Sequence, residues 1–245
     1  MFKREIGKLV WDGKRKHTPR RFLMCNKYFN KGRKKLMNDV IFYDDGHVFE
    51  PLKAKYLTRT FIIENDTFSM ASGVENSCCL NFASYKNPGG GYKGPAQAQE
   101  EDLFRRSNLP ALLDNETMLE YYPITGLKGF YCPKVVVNKD TDLEDIEPFE
   151  TSVITLAAVK NPQPGEEQLM KDKIERVFKI AADNDVENLI LGSWGSGAYN
   201  CSPVFMAKSF KEYLEKCDGV FKTVIFAIPD RESKNYKVYE QFFCG

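Results

Sequence analysis

Short apolar segments alternate with longer helical patterns along residues 60–245, and this alternation constrains the fold more than any other feature. The segments TFIIE (60–64) and SCCLNFAS (77–84) are short, apolar and typical of strands. Residues 166–183 and 202–216 carry apolar residues at helical spacing. Strands that alternate with helices predict a sheet covered by helices on both faces, so the sequence predicts an α/β fold.

The charge is distributed unevenly along the chain. Residues 1–36 hold 13 lysines and arginines against Glu5 and Asp12, a net charge of +11, and the remaining residues carry −10. We therefore expect a basic N-terminal arm over residues 1–36, with one helix near residues 18–27, and a single globular domain over residues 37–245. The arm could contact a polyanion, act as a nuclear address, or simply be a solvated terminus.

Cysteine and histidine usage bears on the compartment and on metal binding. Seven cysteines without CxxC spacing predict free thiols in a reducing compartment. Two histidines exclude a His-rich zinc site, and the cysteine spacing does not support a Cys-only one. The N-terminal MFKREIGKLVW lacks the apolar stretch of a secretory signal, and no segment approaches the roughly 20 apolar residues of a membrane helix. The sequence therefore predicts an intracellular protein without membrane contact, cytoplasmic or, in a eukaryotic or viral setting, nuclear.

Local signals place further elements. Asp44-Asp45-Gly46 predicts a hairpin between residues 39–43 and 48–49, and Asp66 is a candidate N-cap of a short helix. Ser202 followed by Pro203 is typical of a helix start. The other expected helices are 96–107, 110–116 and 233–243, and the other expected strands are 135–138, 153–158, 189–192 and 220–228.

Two glycine-rich loops follow predicted strands and precede predicted helices. The first is Asn87-Pro88-Gly89-Gly90-Gly91-Tyr92, and the second runs from Gly192 to Tyr199 as GSWGSGAY. Glycines allow the backbone to approach a ligand closely and to point N–H groups at an anion. Neither loop matches a P-loop or a dinucleotide fingerprint. Either loop alone could be an ordinary turn, but together they favour a phosphate-binding site with two walls.

Gln99-Glu100-Glu101 lies at the start of the helix that follows the triple glycine. Acidic residues at a helix start commonly just complement the helix dipole. Seven residues separate Gly91 from Gln99, and this place soon after three glycines, at the ligand end of the sheet, instead favours carboxyl groups that act on a bound ligand.

These residues resemble the signature of poly(ADP-ribose) glycohydrolases, and in particular of the bacterial (microbial) type. Gly89-Gly90-Gly91 and Gln99-Glu100-Glu101 carry the resemblance, together with four segments in order over roughly residues 60–245. The segments are LNFASYKNPGGGYKGPAQAQEEDLFRRSNL, FYCPKVVVNKD, SVITLAAVKNP and LILGSWGSGAYN. The resemblance implies a macrodomain-like mixed sheet layered between helices that binds ADP-ribose without a cofactor or metal.

The resemblance also implies a reaction and roles for individual residues. The reaction is hydrolysis of ribose–ribose O-glycosidic bonds of poly(ADP-ribose), with ADP-ribose as product and the polymer or ADP-ribosylated proteins as substrate. Glu101 would be the catalytic acid and Glu100 its partner. The implied substrate-binding residues are Ser84, Asn87, Gly89, Gly90, Gly91, Gln99, Gly195, Ser196, Gly197, Ala198 and Tyr199, with weaker adenine contacts from 64–67. Ser196 stands where the family usually has cysteine.

Two other functions stay open at this point. The first is hydrolysis of a mono-ADP-ribosyl bond or of O-acetyl-ADP-ribose, and the second is a non-catalytic reader of ADP-ribose. The intact Gln99-Glu100-Glu101 disfavours the reader, since binding alone does not require the pair of acids.

Overall fold

The computed structural model describes residues 39–244, so the predictions for the basic arm lie outside the described residues. The strands are β1 (Ile41–Tyr43), β2 (Arg59–Ile63), β3 (Ser77–Phe82), β4 (Gly129–Lys139), β5 (Asp145–Leu156), β6 (Asn188–Leu191) and β7 (Thr223–Ala227). The helices are α1 (Thr67–Ala71), α2 (Gln99–Arg106), α3 (Leu109–Leu113), α4 (Glu116–Leu119), α5 (Glu167–Asp183), α6 (Pro203–Lys216) and α7 (Lys234–Cys244).

The described strands form one mixed sheet in the order β1-β4-β5-β3-β6-β7-β2. Neighbouring strands from β5 to β2 are parallel, and β4 runs antiparallel to β1 and β5. The central position of β3 explains why its sequence is almost wholly apolar, since both of its faces are covered. The carboxyl ends of the parallel strands meet at one edge of the sheet, where ligands bind in such folds.

Helices cover both faces of the sheet, as the sequence predicts. Cys78 and Leu80 of β3 pack into a core with α5, α6 and α7, while Cys79 packs into a second core with α1 to α4. This separation follows from the strand geometry, because successive side chains point to opposite faces. The macrodomain-like layering is therefore confirmed.

The predicted helix caps are also confirmed. The Asp66 carboxylate accepts a hydrogen bond from Ser69 N at 3.0 Å, and the Ser202 hydroxyl accepts one from Phe205 N at 3.4 Å. The predicted helix at 110–116 is instead two helices, because the side chain of Asn115 caps a new helix by accepting from Met118 N. β4 begins earlier than predicted, because residues 129–131 pair with both β1 and β5. β5 begins earlier as well, because its polar first half pairs with β4 alone, and it ends two residues early, at Leu156.

The predicted hairpin between 39–43 and 48–49 is wrong. The turn exists, with Gly46 N donating to the Asp44 carboxylate at 3.0 Å, but β1 pairs with β4. Val48 is 87% exposed, and Phe49 packs beside Tyr43 at 5.6 Å between ring centroids. Aromatic packing, and not strand pairing, therefore fixes the position of Phe49.

Arg106 fixes the end of α2 within the domain. It is 1% exposed, and its Nη1 lies 2.6 Å from Asp66 Oδ1 and 2.8 Å from Asp102 Oδ2. Its Nε donates to the carbonyl of Lys139 at 3.2 Å. Burial acts to raise the pKa of Asp66, but the Arg106 guanidinium and the hydrogen bonds from Ser69 together outweigh burial and lower that pKa. This buried ion pair joins α2 to the start of α1 and to the end of β4.

Candidate active site

A cleft of about 1200 Å³ opens at the carboxyl edge of the sheet. The segments that follow β2, β3, β6 and β7 line it, together with the start of α2. The parallel strands explain this arrangement, since they bring the loops after their carboxyl ends to one place. The volume exceeds the roughly 300–1,000 Å³ of ordinary small-molecule pockets.

Glu100 and Glu101 lie side by side at the floor of the cleft. They belong to the first turn of α2, and they are 3% and 7% exposed. Two adjacent carboxyl groups are costly to bury, and the N-terminal end of a helix offsets part of that cost. The predicted pair is therefore present at the ligand end of the sheet.

Glu100 is held by three N–H donors. Its Oε2 accepts from Ser84 N at 2.7 Å, and its Oε1 accepts from Gly89 N at 3.1 Å and from Asn81 Nδ2 at 3.4 Å. Burial raises the pKa of Glu100 to about 8, with the neighbouring Glu101 adding to the shift and the three donors opposing it. Glu100 therefore binds a proton near neutral pH when the site is empty.

Glu101 is held at one oxygen only. Its Oε1 accepts from Gly91 N at 2.9 Å, whereas its buried Oε2 has no hydrogen-bond partner among residues 39–244. A buried carboxyl oxygen without a partner is costly, so such groups are retained where a ligand or water completes the bonding. This oxygen is the one chemically free atom of the pair.

Gly90 lies directly against both carboxyl groups. A Cβ at this position would stand 2.5 Å from Glu101 Oε1 and 3.0 Å from Glu100 Oε2. The backbone φ of Gly90 is +55°, a conformation that side-chain-bearing residues rarely adopt. Both the conformation and the close approach therefore require glycine here.

Gln99 joins α2 to the central strand. Its Nε2 donates to Leu80 O at 2.8 Å and to Thr67 Oγ1 at 3.0 Å, and its Oε1 accepts from Phe82 N at 2.9 Å. Both amide hydrogens are used within the protein. The contacts of Gln99 thus support the carboxyl pair from behind.

Arg105 holds the chain between the triple glycine and α2. Its guanidinium donates to the carbonyls of Tyr92, Gly94 and Ala96 at 3.1, 3.0 and 2.5 Å. These three carbonyls lie on a tight surface loop that would otherwise leave them to water. Arg105 therefore fixes the glycine loop relative to the helix that carries the carboxyl groups.

Tyr199 reaches from the second glycine loop to the first. Its hydroxyl accepts from Tyr85 N at 3.1 Å and also hydrogen-bonds the Ser84 side chain. Ser84 N in turn contacts Glu100, so Tyr199 lies one residue away from the carboxyl pair. Burial raises the pKa of the Tyr199 hydroxyl, which stays protonated in the physiological range.

The structure brings most of the sequence-predicted residues to the cleft but not all of them. Its lining includes Ser84, Asn87, Gly90, Gly91, Gln99, Glu100, Glu101, Gly195, Gly197, Ala198 and Tyr199. Gly89 and Ser196 do not line it. Gly89 packs against the Phe104 ring and contacts Glu100 through its N–H, and the Ser196 hydroxyl is buried without a partner.

Sequence reasoning missed two further walls of the cleft. One follows β7 and includes Pro229, Asp230 and Ser233, and the other is the tip of the β4–β5 hairpin at Thr141 and Asp142. The first could have been found, since a segment after a parallel strand belongs at the same edge. The second could not, because it depends on how far the hairpin extends past the sheet.

Two absences hold for the part of the chain that the structure describes. Within residues 39–244, no group of histidine, cysteine, aspartate and glutamate side chains is arranged to hold a metal ion. No described helix is both long and apolar enough to cross a membrane.

A mixed sheet that carries a large cleft and a buried carboxyl pair at its carboxyl edge defines a macrodomain-type protein with the groups of a hydrolase. The sequence model of the microbial-type PARG catalytic domain matches residues 29–139, which include the triple glycine and the carboxyl pair. Over these residues, the chain is similar to the microbial-type PARG family.

Solved structures agree with this similarity. The poly(ADP-ribose) glycohydrolase of Deinococcus radiodurans in complex with ADP-ribose has a TM-score of 0.76 and 25% identity, over 86% of this chain and 96% of that chain. The poly(ADP-ribose) glycohydrolase of Thermomonospora curvata has a TM-score of 0.77 and 23% identity, over 87% of this chain and 89% of that chain, and it supports the fold. No curated protein sequence matches the chain.

The raised pKa of Glu100 predicts how stability depends on pH. A carboxyl whose folded pKa exceeds its unfolded value stabilises the fold below about pH 4.5, and this contribution is lost as pH rises towards about 8. The Glu100→Gln variant lacks this ionisation. Between pH 5 and pH 9, the free energy of unfolding of the variant relative to that of the wild type should therefore increase by on the order of 4 kcal/mol. Urea unfolding at several pH values measures this difference.

The control for this experiment is Glu120→Gln, which changes an exposed carboxyl outside the cleft. Its free energy of unfolding should stay parallel to that of the wild type across the same pH range. A Glu100→Gln curve that is also parallel to the wild type would show that burial does not hold a proton on Glu100.

Proposed function

We propose that this chain hydrolyses the ribose–ribose O-glycosidic bonds of poly(ADP-ribose) and releases ADP-ribose, with Glu101 as acid and base and Glu100 as its partner. The observation that carries the proposal is the free Oε2 of Glu101, buried beside a second carboxyl at the floor of the cleft. The family and the Deinococcus radiodurans neighbour with bound ADP-ribose support this choice of reaction and ligand.

Backbone groups do most of the proposed binding. Gly195, Gly197 and Ala198 line the cleft on a loop between β6 and α6, where N–H groups suit a diphosphate. Gly90 leaves room for the terminal ribose above the carboxyl groups, because any side chain there would fill that space. Tyr199 packs against the ligand between these two regions.

Glu101 carries out the proton transfers in this proposal. Breaking the glycosidic bond creates an oxocarbenium-like sugar and a leaving oxygen that needs a proton. Glu101 gives that proton, and it then takes one from the water that adds to the sugar carbon. A group in this role needs an oxygen free of protein donors, and Glu101 Oε2 meets that condition where Glu100 does not.

Glu100 has a supporting part. Three N–H donors fix its carboxyl, so it can orient ribose hydroxyls without moving. Its raised pKa means that one proton is held within the pair near neutral pH, and in this proposal that proton moves from Glu100 to Glu101 before the glycosidic bond breaks. The diphosphate of the substrate stabilises the positive charge on the sugar, so the mechanism requires no metal ion.

One assay separates this function from the two alternatives. Purified protein is incubated with poly(ADP-ribose), with a mono-ADP-ribosylated protein and with O-acetyl-ADP-ribose, and free ADP-ribose is measured. The proposal predicts release from the polymer. Release from the other substrates alone would establish the mono-ADP-ribosyl or O-acetyl-ADP-ribose hydrolase, and binding without release would establish a reader.

Two further proposals concern the basic arm and the cellular compartment. The net charge of +11 on residues 1–36 supports contact of the basic arm with the polymer, a polyanion. The described cysteines other than Cys244 are buried, and all of them are free thiols. Free thiols support a reducing, intracellular compartment, cytoplasmic or nuclear.

Glu101→Gln should abolish most turnover while it preserves binding. The Gln oxygen can still accept from Gly91 N, and the amide nitrogen takes the place of the unpartnered oxygen. Loss of general acid–base catalysis predicts a fall in kcat of about 10²–10⁴-fold. The Kd for ADP-ribose should change by less than about tenfold, since the glycine loops do most of the binding. Initial rates and calorimetry measure the two quantities, and Glu120→Gln is the control. Retention of more than about a tenth of wild-type kcat would remove Glu101 from the proposed role.

Gly90→Ala and Gly94→Ala form a matched pair in the same loop. The new methyl group at position 90 meets both carboxyl groups in a left-handed backbone, whereas a Cβ at position 94 meets only Gly91 O, at 3.5 Å. We expect Gly90→Ala to lose at least about 100-fold in kcat/KM, equal to the roughly 3 kcal/mol that such displacement costs at the reacting atoms. Gly94→Ala should stay within about threefold of the wild type. Equal effects of the two changes would contradict the proposed position of the ribose.

A further inference from the structure

The charges that line the cleft are strongly asymmetric. Acidic side chains dominate the described lining, which contains Glu64, Asp66, Glu100, Glu101, Asp102, Asp142 and Asp230. Lys86 and Lys160 are the two cationic side chains in that lining. Acidic side chains repel a polyanionic ligand. Outside the glycine loops, these two lysines are therefore the positions in the lining where phosphate groups can bind.

The two lysines occupy one rim of the cleft. Lys86 Nζ lies 5.6 Å from the centre of the Tyr85 ring, and Lys160 Nζ lies 5.9 Å from the centre of the Tyr199 ring. The two tyrosines are in contact, since Tyr85 N donates to the Tyr199 hydroxyl at 3.1 Å. Aromatic rings beneath both ammonium groups keep them over this rim.

This rim adjoins the carboxyl pair. Ser84, two residues before Lys86, donates its N–H to Glu100 at 2.7 Å. A phosphate group at the rim would therefore be near the bond that the carboxyl groups cleave. Neither lysine forms an ion pair within 4 Å with a carboxylate of residues 39–244, so both charges are available to a ligand.

We propose that Lys86 and Lys160 form a second anionic subsite, which binds the diphosphate of the polymer unit next to the one being released. This inference rests on the proposed function. The oxygen that leaves in the reaction belongs to the adenosine ribose of that next unit, and the same ribose carries the diphosphate. The diphosphate must therefore leave the cleft close to the carboxyl pair, where the two lysines lie.

The cleft volume agrees with a second occupant. At about 1200 Å³ the cleft exceeds what an ordinary small-molecule pocket provides, so part of a neighbouring unit can enter it. A contact with the leaving unit is present both before and at the transition state. Such a contact lowers KM and leaves kcat nearly unchanged.

The test compares two double variants of the full chain. Lys86→Gln with Lys160→Gln removes both charges at the rim, and Lys53→Gln with Lys134→Gln removes two exposed lysines that do not line the cleft. For each protein, kcat and KM are measured on poly(ADP-ribose) at several salt concentrations. Kd values for the polymer and for free ADP-ribose are measured separately in the Glu101→Gln background, in which the polymer persists.

The rim variant should raise the polymer KM and Kd by about 5- to 30-fold, as two exposed ion contacts imply. Its kcat should stay within about twofold, and its Kd for ADP-ribose within about threefold. The slope of log Kd against log salt for the polymer should become shallower by about 1 to 1.5, and the control variant should behave as the wild type.

Three results would overturn the second subsite. An equal loss of affinity for ADP-ribose and polymer would place the lysines at the released unit. An unchanged polymer Kd would show that the lysines do not bind the polymer. An equal effect of the control variant would show that the lysines act only through the net charge of the protein. Failure of the wild type to release ADP-ribose would instead refute the proposed function. The polymer and ADP-ribose affinities would still decide the subsite in that case.

Discussion

The structure depends on the burial of two adjacent carboxyl groups at the start of α2. Water would solvate these groups far better than a protein interior does, so the fold must replace that solvation. It does so with backbone N–H groups of Ser84, Gly89 and Gly91, which belong to the end of β3 and to the glycine loop. The triple glycine is thus as much a support for the carboxyl groups as a surface for the ligand.

The residues around the carboxyl pair hold it in position. Gln99 fastens the first turn of α2 to β3, Arg105 fastens the preceding loop, and Arg106 fastens the far end of the helix. A ligand that bound the side chain of Gln99, Arg105 or Arg106 would have to break one of these contacts. The pair itself is left with one free oxygen, on Glu101, which concentrates the chemistry at a single atom.

Much of this arrangement could be predicted from the sequence because its signals are local. Apolar runs and cap residues predict the strands and helices, and the glycine loops after strands predict which edge of the sheet binds a ligand. The resemblance carried by Gly89 to Gly91 and Gln99 to Glu101 implies the site residues themselves. The division between Glu100, with three donors, and Glu101, with one, was not predictable, because it depends on interatomic distances that spacing does not encode.

The failures of prediction have the same origin. The strand expected at 48–49 does not form, because Phe49 packs against Tyr43 and against Arg176 of α5, which is distant in sequence. Gly89 and Ser196 do not line the cleft, so their contact with the ligand stays a prediction. The sequence also did not indicate Lys86 and Lys160 as binding residues, because the acidic side chains that surround them in the cleft come from distant parts of the sequence.

The most direct test of the central claim is the crystal structure of the chain with bound ADP-ribose. We predict that the terminal ribose lies against Gly90, with its anomeric carbon beside Glu101 and its hydroxyls on Glu100. The diphosphate should lie on the loop from Gly195 to Tyr199. A terminal ribose bound away from both carboxyl groups would contradict the proposed roles of Glu100 and Glu101, whatever the affinity of the complex.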